Sequence, residues 1–132
     1  MKLIQASKVN EEKLEQFIGN NHQIDLQSLL KSGYVVEFNE KIIGCFELEL
    51  MENDAYWLKQ LYIIQNEAIK LPILLEFILV FAKQREAKVI YAHSERPVTD
   101  LLLESLSFSL QQEKTFNHVR KQKGHWWSYE VC

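Results

Sequence analysis

Apolar and polar residues alternate with a period of two through the middle of this chain. The alternation runs through residues 34–38, 41–50 and 55–64, and polar gaps of turn length separate these runs at 39–40 and 52–54. A period of two places successive side chains on opposite faces of a strand. The pattern therefore predicts three consecutive antiparallel strands.

The second of these runs has two faces of different character. Large apolar side chains alternate with a thiol and two carboxylates, in the order Cys45, Phe46, Glu47, Leu48, Glu49 and Leu50. We expect the apolar face to meet a core and the other face to look toward water or a cleft.

Two short helices are predicted before these strands, after a first strand at residues 2–6. Asn10 can accept hydrogen bonds from the first amides of a helix, and Gly19 interrupts the apolar pattern that follows. Asp25 and Gly33 bracket a second, shorter helix in the same way. The chain thus begins as strand, helix, helix.

From Pro72 the hydrophobic period changes from two to 3.6. Residues 73–81 are apolar almost all round, so we expect this helix to be covered on more than one side, by an enclosing core or by a second copy in a homodimer. A short strand follows at residues 88–92. A strand, helix and strand in this order normally place the two strands parallel.

The order of the elements defines the fold class. Pro97 opens a further helix, and residues 108–114 and 125–131 form two last strands. We expect residues 1–132 to form a single α/β (α+β) domain. It would contain a mixed, mostly antiparallel sheet of six to seven strands, with about four helices on both faces.

Composition narrows the classes of function. The chain is 47% apolar and 25% charged, and its formal net charge of -3 gives no strong positive field. We therefore do not expect nucleic acid or a membrane as its partner. Its cysteines, Cys45 and Cys132, have neither metal nor disulfide spacing, and its histidines are scattered. We expect a cytoplasmic protein without a metal.

The order of elements resembles that of the GNAT family of N-acetyltransferases, over nearly the whole chain. Residues 74–88 are similar to the family's helix after the acetyl-CoA loop and the start of the next strand. The run Leu61-Tyr62-Ile63 is similar to a Leu-Tyr-Val at the end of its fourth strand. The resemblance implies an acyl-CoA-dependent N-acetyltransferase, with acetyl-CoA or another acyl-CoA as donor and a small-molecule or protein amine as acceptor.

The resemblance also implies where the donor would lie. In the family, the pantetheine arm bonds to the backbone of the fourth strand where it diverges from the fifth, and the pyrophosphate rests on a glycine-containing loop. The corresponding residues here are Leu61, Tyr62 and Ile63 for the arm, and Ile69, Lys70 and Leu71 for the phosphates. The loop at residues 64–72 departs from the family because it contains no glycine and carries Glu67.

In the family, the acceptor amine attacks the thioester with the help of a base, and a tyrosine often protonates the departing thiolate. The tyrosine position is Leu103 here, which cannot give a proton. Glu47 and Glu49 are candidate bases on one strand face, and the alternative is that they are solvated. Tyr62 is a candidate acid, and the alternative is that it packs in a core.

Three functions stay open at this point. The first is the N-acetyltransferase, which we favour because contacts from strand backbone survive changes of side chain. The second is a catalytically inactive GNAT-like module for binding or assembly, suggested by the absent glycine and tyrosine. The third is nucleic-acid binding by the basic residues and tryptophans of 118–127, against the alternative of a charged hairpin turn.

Overall fold

The structure of the chain, a computed structural model, describes residues 1–19, 24–94, 96–111 and 124–131. Within them lie seven strands, which are β1 (Lys2–Gln5), β2 (Gly33–Phe38), β3 (Lys41–Leu50), β4 (Ala55–Ile63), β5 (Val89–Ser94), β6 (Ser109–Leu110) and β7 (His125–Glu130). The same residues form four α-helices, which are α1 (Glu11–Ile18), α2 (Leu26–Ser32), α3 (Leu71–Gln84) and α4 (Pro97–Ser105). The predicted order of elements is confirmed.

The strands form one mixed sheet in the order β1-β2-β3-β4-β5-β7-β6. β4 and β5 are parallel, and their register joins residues 55–58 to residues 89–92. The pairs β1 with β2, β2 with β3, β5 with β7 and β6 with β7 are antiparallel. The α+β class is therefore confirmed, as is the pairing of the strands on either side of the long helix.

The chain divides into two compact units. The first unit contains Met1–Glu49 and Lys59–Leu71, and the second contains Leu50–Leu58 and Pro72–Cys132. The boundary falls inside β4, whose residues up to Leu58 belong to the second unit. The single domain that we expect from residues 1–132 stays a prediction.

The core of the first unit collects one or two residues from each of its early elements. Its buried members are Ala6, Leu14, Leu29, Val35 and Cys45. Both helices that cover it have the predicted caps. Oδ1 of Asn10 accepts a hydrogen bond from the amide of Glu12 at 2.8 Å, and Oδ1 of Asp25 accepts one from the amide of Ser28 at 3.2 Å.

Gly33 ends α2 for a different reason from the one its sequence position suggests. Its φ of -107° is extended rather than left-handed. A Cβ at this position would lie 2.5 Å from the carbonyl oxygen of Leu29 and nearer still to the Leu29 side chain. Glycine is required here by the close approach of β2 to the last turn of α2.

In the second unit, α3 is only partly covered. It begins one residue before Pro72, which suits the first turn of a helix. One face is buried, but Ile73, Phe77 and Val80 are exposed on another. The expectation that the chain covers this helix on more than one side is therefore wrong for these three residues, and the homodimer stays a prediction.

The last strands differ in length from the prediction. β5 runs two residues past the predicted end, to Ser94, and β6 contains only Ser109–Leu110. The rest of the predicted strand, at residues 112–114, lies outside the described residues. None of the described helices is long and apolar enough to cross a membrane.

Candidate functional site

Glu47 is fully buried, so the expectation that its face of β3 looks toward water or a cleft is wrong for this residue. Its Oε1 accepts hydrogen bonds from the hydroxyls of Ser28, at 2.6 Å, and Ser32, at 2.8 Å. Its Oε2 accepts one from Nε2 of Gln60. The two serines lie one turn apart on α2, which covers this face of β3.

Gln60 connects this carboxylate to the start of α2. Its Nε2 also donates to the carbonyl of Asp25 at 3.1 Å, and its Oε1 accepts from the amide of Asp25 at 2.6 Å. Gln60 has a φ of 52° in the middle of β4, which is costly for a residue other than glycine. Its three side-chain hydrogen bonds offset this strain and hold the residue in this conformation.

We name Ser28, Ser32, Glu47 and Gln60 the carboxylate cluster. A buried carboxylate without compensating donors is strongly destabilising. Here neutral hydroxyl and amide donors supply the compensation. The cluster therefore ties α2, β3 and β4 to one another in the first unit.

The cluster also affects its neighbour Cys45. Burial is the main reason, and the nearby charge of Glu47 the second, why the pKa of the Cys45 thiol is raised to about 12. Its Sγ lies 3.6 Å from the carbonyl oxygen of Gln60. Cys45 is thus a protonated packing residue, whereas Cys132 lies outside the described residues.

The other two catalytic candidates have partners in the first unit. Glu49 is half-exposed, and its Oε1 lies 3.3 Å from Nζ of Lys59. Tyr62 is partly buried against the core, with its ring centroid 5.8 Å from that of Phe17. The structure does not bring Glu49 or Tyr62 into the carboxylate cluster. Their catalytic roles stay predictions.

The predicted phosphate residues lie on a 3-10 helical turn, Gln65–Lys70, and at the start of α3. Nζ of Lys70 pairs with the carboxylate of Glu67 and lies 4.8 Å from the centre of the Phe38 ring. The amide of Leu71 donates to the carbonyl of Ala68. Ile69 is 86% exposed. The turn therefore presents an apolar side chain to solvent next to Lys70, whose charge is already paired with Glu67.

Leu61, Tyr62 and Ile63 lie at the end of β4, close to the backbone of β3. A Cβ at Gly44 would lie 2.6 Å from the carbonyl oxygen of Tyr62, so β3 and β4 approach closely at this point. Leu61 and Ile63 are partly buried. Binding of a pantetheine arm by these residues stays a prediction.

A separate cleft of about 340 Å³ opens in the first unit between α1 and the turn that joins β2 to β3. Phe17, Ile42 and Ile64 give it apolar walls, and Lys13 and Lys41 lie among its other lining residues. None of the site residues predicted from the sequence lines this cleft.

Sequence reasoning missed Ser28, Ser32 and Gln60. The spacing of the two serines, four residues apart on a predicted helix, was the available signal, because it places both on one face. Nothing in the sequence indicated that this face would meet Glu47. Within the described ranges, no group of three or more His, Cys, Asp or Glu could hold a metal ion. Most of the basic segment 118–127 lies outside them.

The chain is similar to known proteins in its fold but not in its sequence. No protein-family profile matches the chain, and no curated protein matches it by sequence. The fold is similar to that of an acetyltransferase of the GNAT family from Staphylococcus aureus, with a TM-score of 0.72 and 16% identity over 99% of each chain.

Two similar structures contain acetyl coenzyme A or CoA. The N-acetyltransferase PseH of Campylobacter jejuni, in complex with acetyl coenzyme A, has a TM-score of 0.73 and 17% identity, over 98% of this chain and 97% of that one. An acetyltransferase of Bacillus subtilis in complex with CoA has a TM-score of 0.74 and 11% identity, over 99% of each chain. The chain therefore has the GNAT fold.

Proposed function

We propose that this protein is an acyl-CoA-dependent N-acetyltransferase of the cytoplasm, which transfers an acetyl group to an amine. The observation that carries the proposal is the GNAT fold, which extends over nearly the whole chain. The structures that share this fold include complexes with CoA and with acetyl coenzyme A. A fold alone does not define a function, so the proposal also needs residues that suit the donor.

The turn before α3 can bind a phosphate if Lys70 leaves its present partner, Glu67. Lys70 is a cation at the correct point of the chain, but Glu67 already holds it. Both side chains are partly exposed, and such pairs contribute little stability. We propose that Lys70 exchanges the Glu67 carboxylate for a phosphate of the donor, while backbone groups of residues 61–63 hold the pantetheine arm.

Each candidate catalytic side chain of the first unit is in contact with neighbouring residues that hold it in place. Glu47 is enclosed by three donors, Glu49 is held by Lys59, and Tyr62 packs beside Phe17. We propose that Glu47 acts by positioning α2 and Gln60 of β4. Catalytic roles for Glu49 and Tyr62 stay predictions.

Calorimetric titration with acetyl-CoA tests the proposal directly. We expect saturable binding. In thermal unfolding, acetyl-CoA should also raise the melting temperature, and a free acetyl-CoA concentration of a hundred times Kd corresponds to about 2.7 kcal/mol of stabilisation. Titration with propionyl-CoA, free CoA and ADP separates recognition of the acyl group from recognition of the nucleotide. Absence of binding by every acyl-CoA in the series would refute the proposal.

A catalytically inactive GNAT-like module is the second candidate. The observation that favours it is Leu103, which is 2% exposed and cannot give a proton, at the position that the resemblance aligns with the family's tyrosine. This candidate predicts binding of acyl-CoA without turnover. Detection of acetylated spermidine, glycylglycine or polylysine by mass spectrometry, at a rate proportional to protein concentration, would eliminate it.

A further inference from the structure

The cleft between α1 and the turn that joins β2 to β3 lies wholly within the first unit. Its lining residues come from α1, from residues 40–42 and from Ile64, and all of them belong to that unit. Its volume of about 340 Å³ is at the lower end of the range for pockets that bind small molecules. The carboxylate cluster and the turn Gln65–Lys70 contribute no residue to it, so neither of these features accounts for the cleft.

The walls of the cleft are apolar and are held by the core beneath them. Phe17 and Ile42 are partly buried and pack against the core of the first unit. The ring of Phe17 also lies beside that of Tyr62, with centroids 5.8 Å apart. The amide of Ile64 donates to the carbonyl of Ile43 at 2.8 Å. The inner sides of these walls are therefore fixed, and their outer sides can contact an apolar ligand.

The turn at one side of the cleft is short. Phe38 pairs with Lys41 across β2 and β3, so Asn39 and Glu40 alone connect the two strands. Both residues have a positive φ, of 51° and 63°, as the favoured two-residue hairpin turn requires. A cleft bounded by a helix and a tight hairpin is largely preformed, so a ligand that enters it has little chain to order.

Polar side chains at the cleft favour an anion. Lys13 and Gln16 lie one turn apart on α1 and share a face of that helix, and Lys41 is the first residue of β3. Within the described ranges, neither lysine forms an ion pair or a side-chain hydrogen bond. Glu40 is the acid among the described lining residues. Two cations and one carboxylate leave a single net positive charge, and Gln16 adds an amide donor.

We propose that this cleft is a binding site for a small amphipathic carboxylate. The hydrocarbon part of the ligand contacts Phe17, Ile42 and Ile64, and its carboxylate is bound by Lys13 and Lys41. The single negative charge of such a ligand matches the net charge of the lining, whereas both lysines would repel a cation. The inference does not depend on the proposed acetyl transfer, because it needs neither the donor nor any residue assigned to the donor.

Calorimetric titration with acetate, butyrate and hexanoate, without any acyl-CoA, tests the contact with the apolar walls. We expect each added methylene to tighten binding by up to about fourfold, because it removes further apolar surface from water. Hexanoate should bind saturably, with a Kd of about 1 mM or tighter. Absence of saturable binding by hexanoate, or equal affinity for acetate and hexanoate, would overturn the proposal.

Backbone ¹H–¹⁵N spectra locate the bound ligand. Saturating shifts should appear at the amides of residues 13, 16–17, 40–42 and 64, which line the cleft. Shifts confined to other parts of the chain would mean that hexanoate binds elsewhere, and the proposed site would be wrong.

Hexanamide and hexylamine test the role of charge, because they keep the hydrocarbon chain but not the carboxylate. We expect both to bind about fivefold more weakly than hexanoate, or weaker still. A rise in KCl from about 0.05 M to about 0.5 M should weaken the binding of hexanoate and leave that of hexanamide almost unchanged. Hexylamine that binds as tightly as hexanoate would contradict an anion site.

Four substitutions of exposed residues test the assignment of the charges. Lys13→Gln and Lys41→Gln should each raise the Kd for hexanoate about three- to tenfold, whereas Glu40→Gln should lower it because a repulsive charge is removed. Lys31→Gln is the matched control, since it removes the same charge from the same unit but does not line the cleft. Wild-type affinity in the double variant Lys13→Gln/Lys41→Gln, or an equal loss in Lys31→Gln, would overturn the proposal. Neither result would bear on whether the protein transfers acetyl groups.

Discussion

Glu47 makes its contacts through both carboxylate oxygens, and this fixes what replacement should do. In Glu47→Gln one oxygen becomes an NH₂ group, which would face either the serine hydroxyls or Nε2 of Gln60. Gln60 cannot turn its own oxygen toward this group without losing the amide of Asp25. With the NH₂ group toward the serines, both hydroxyls would have to turn and accept instead of donate. Bonds to a carboxylate are then replaced by weaker neutral ones, so we expect a loss of about 1–3 kcal/mol in the free energy of unfolding.

Urea denaturation measures this effect, and Glu49→Gln is the matched control on the same face of β3. Glu49 is half-exposed and pairs with Lys59, so its replacement should cost less than about 1 kcal/mol. Equal losses in the two variants would show that the carboxylate cluster gives no particular stability.

The raised pKa of the Cys45 thiol predicts how the stability of the chain depends on pH. Its pKa is about 12 in the folded chain, above the value of about 8.5 for a thiol in an unfolded chain. The folded state holds the proton more tightly, so the stabilisation is complete below about pH 8.5. It decreases as the pH rises toward the folded value, because only the unfolded thiol ionises in this window.

Urea unfolding at pH values from about 8 to 10.5 checks this prediction when wild type and Cys45→Ala are compared. Other groups titrate equally in both, so the wild type should lose more stability with rising pH than the variant does. Parallel curves would contradict the raised pKa. The absolute stability of Cys45→Ala does not affect this comparison, because only the slopes are used.

At the scale of elements, the prediction from sequence succeeded where local chemistry decides. Asn10 and Asp25 cap their helices as expected, because capping depends on bonds to amides two or three residues away. Leu50 shows the limit, since it is 62% exposed although its alternation with Glu49 predicts a buried residue. Whether a strand end is covered depends on distant elements, which a period of two does not describe.

Gly33 provides a test of the junction between α2 and β2. Gly33→Ala places a methyl group against the backbone of Leu29, so we expect a loss of about 1–3 kcal/mol from overpacking. Gly19→Ala is the control, because a Cβ there would be 3.5 Å from its nearest neighbour and would meet only the cost of a φ of 49°. Denaturant unfolding followed by circular dichroism gives both values. Wild-type stability of Gly33→Ala would contradict the close approach.

The turn before α3 predicts opposite effects of two substitutions on donor binding. Lys70→Gln removes the proposed phosphate ligand, so we expect the Kd for acetyl-CoA to rise about tenfold, which is about 1.4 kcal/mol. Glu67→Gln frees Lys70 from its present partner and should lower the Kd. Calorimetry at low and high salt measures both. Equal effects in the same direction would contradict the proposed exchange.

At the scale of the whole molecule, the fold was more predictable than the site. The order of elements follows from patterns within each segment, and this order is what the resemblance to the GNAT family used. The site depends on contacts between residues far apart in sequence, such as Gln60 with Asp25 or Ser28 with Glu47. Glu47 shows the difference, because alternation separates it from Phe46 and Leu48 but gave no information on what covers its own face.

β4 leads to the last prediction, because its residues are shared between the two units. A strand that contributes to both should not melt in one unit and persist in the other. We therefore expect a single cooperative unfolding transition, as for most domains of this size. The chain offers two separate probes. Its three tryptophans, Trp57, Trp126 and Trp127, are all in the second unit, whereas the buried thiol of Cys45 is in the first.

Fluorescence in urea would follow the second unit, and pulsed labelling of Cys45 in a Cys132→Ser variant would follow the first. Coincident midpoints and equal m-values would support one domain over residues 1–132. A shift of the labelling curve to lower urea would mean that the first unit unfolds independently. Acetyl-CoA adds a further constraint: a donor held by residues 61–71 should stabilise both probes equally if the units unfold together, and only the thiol if they do not.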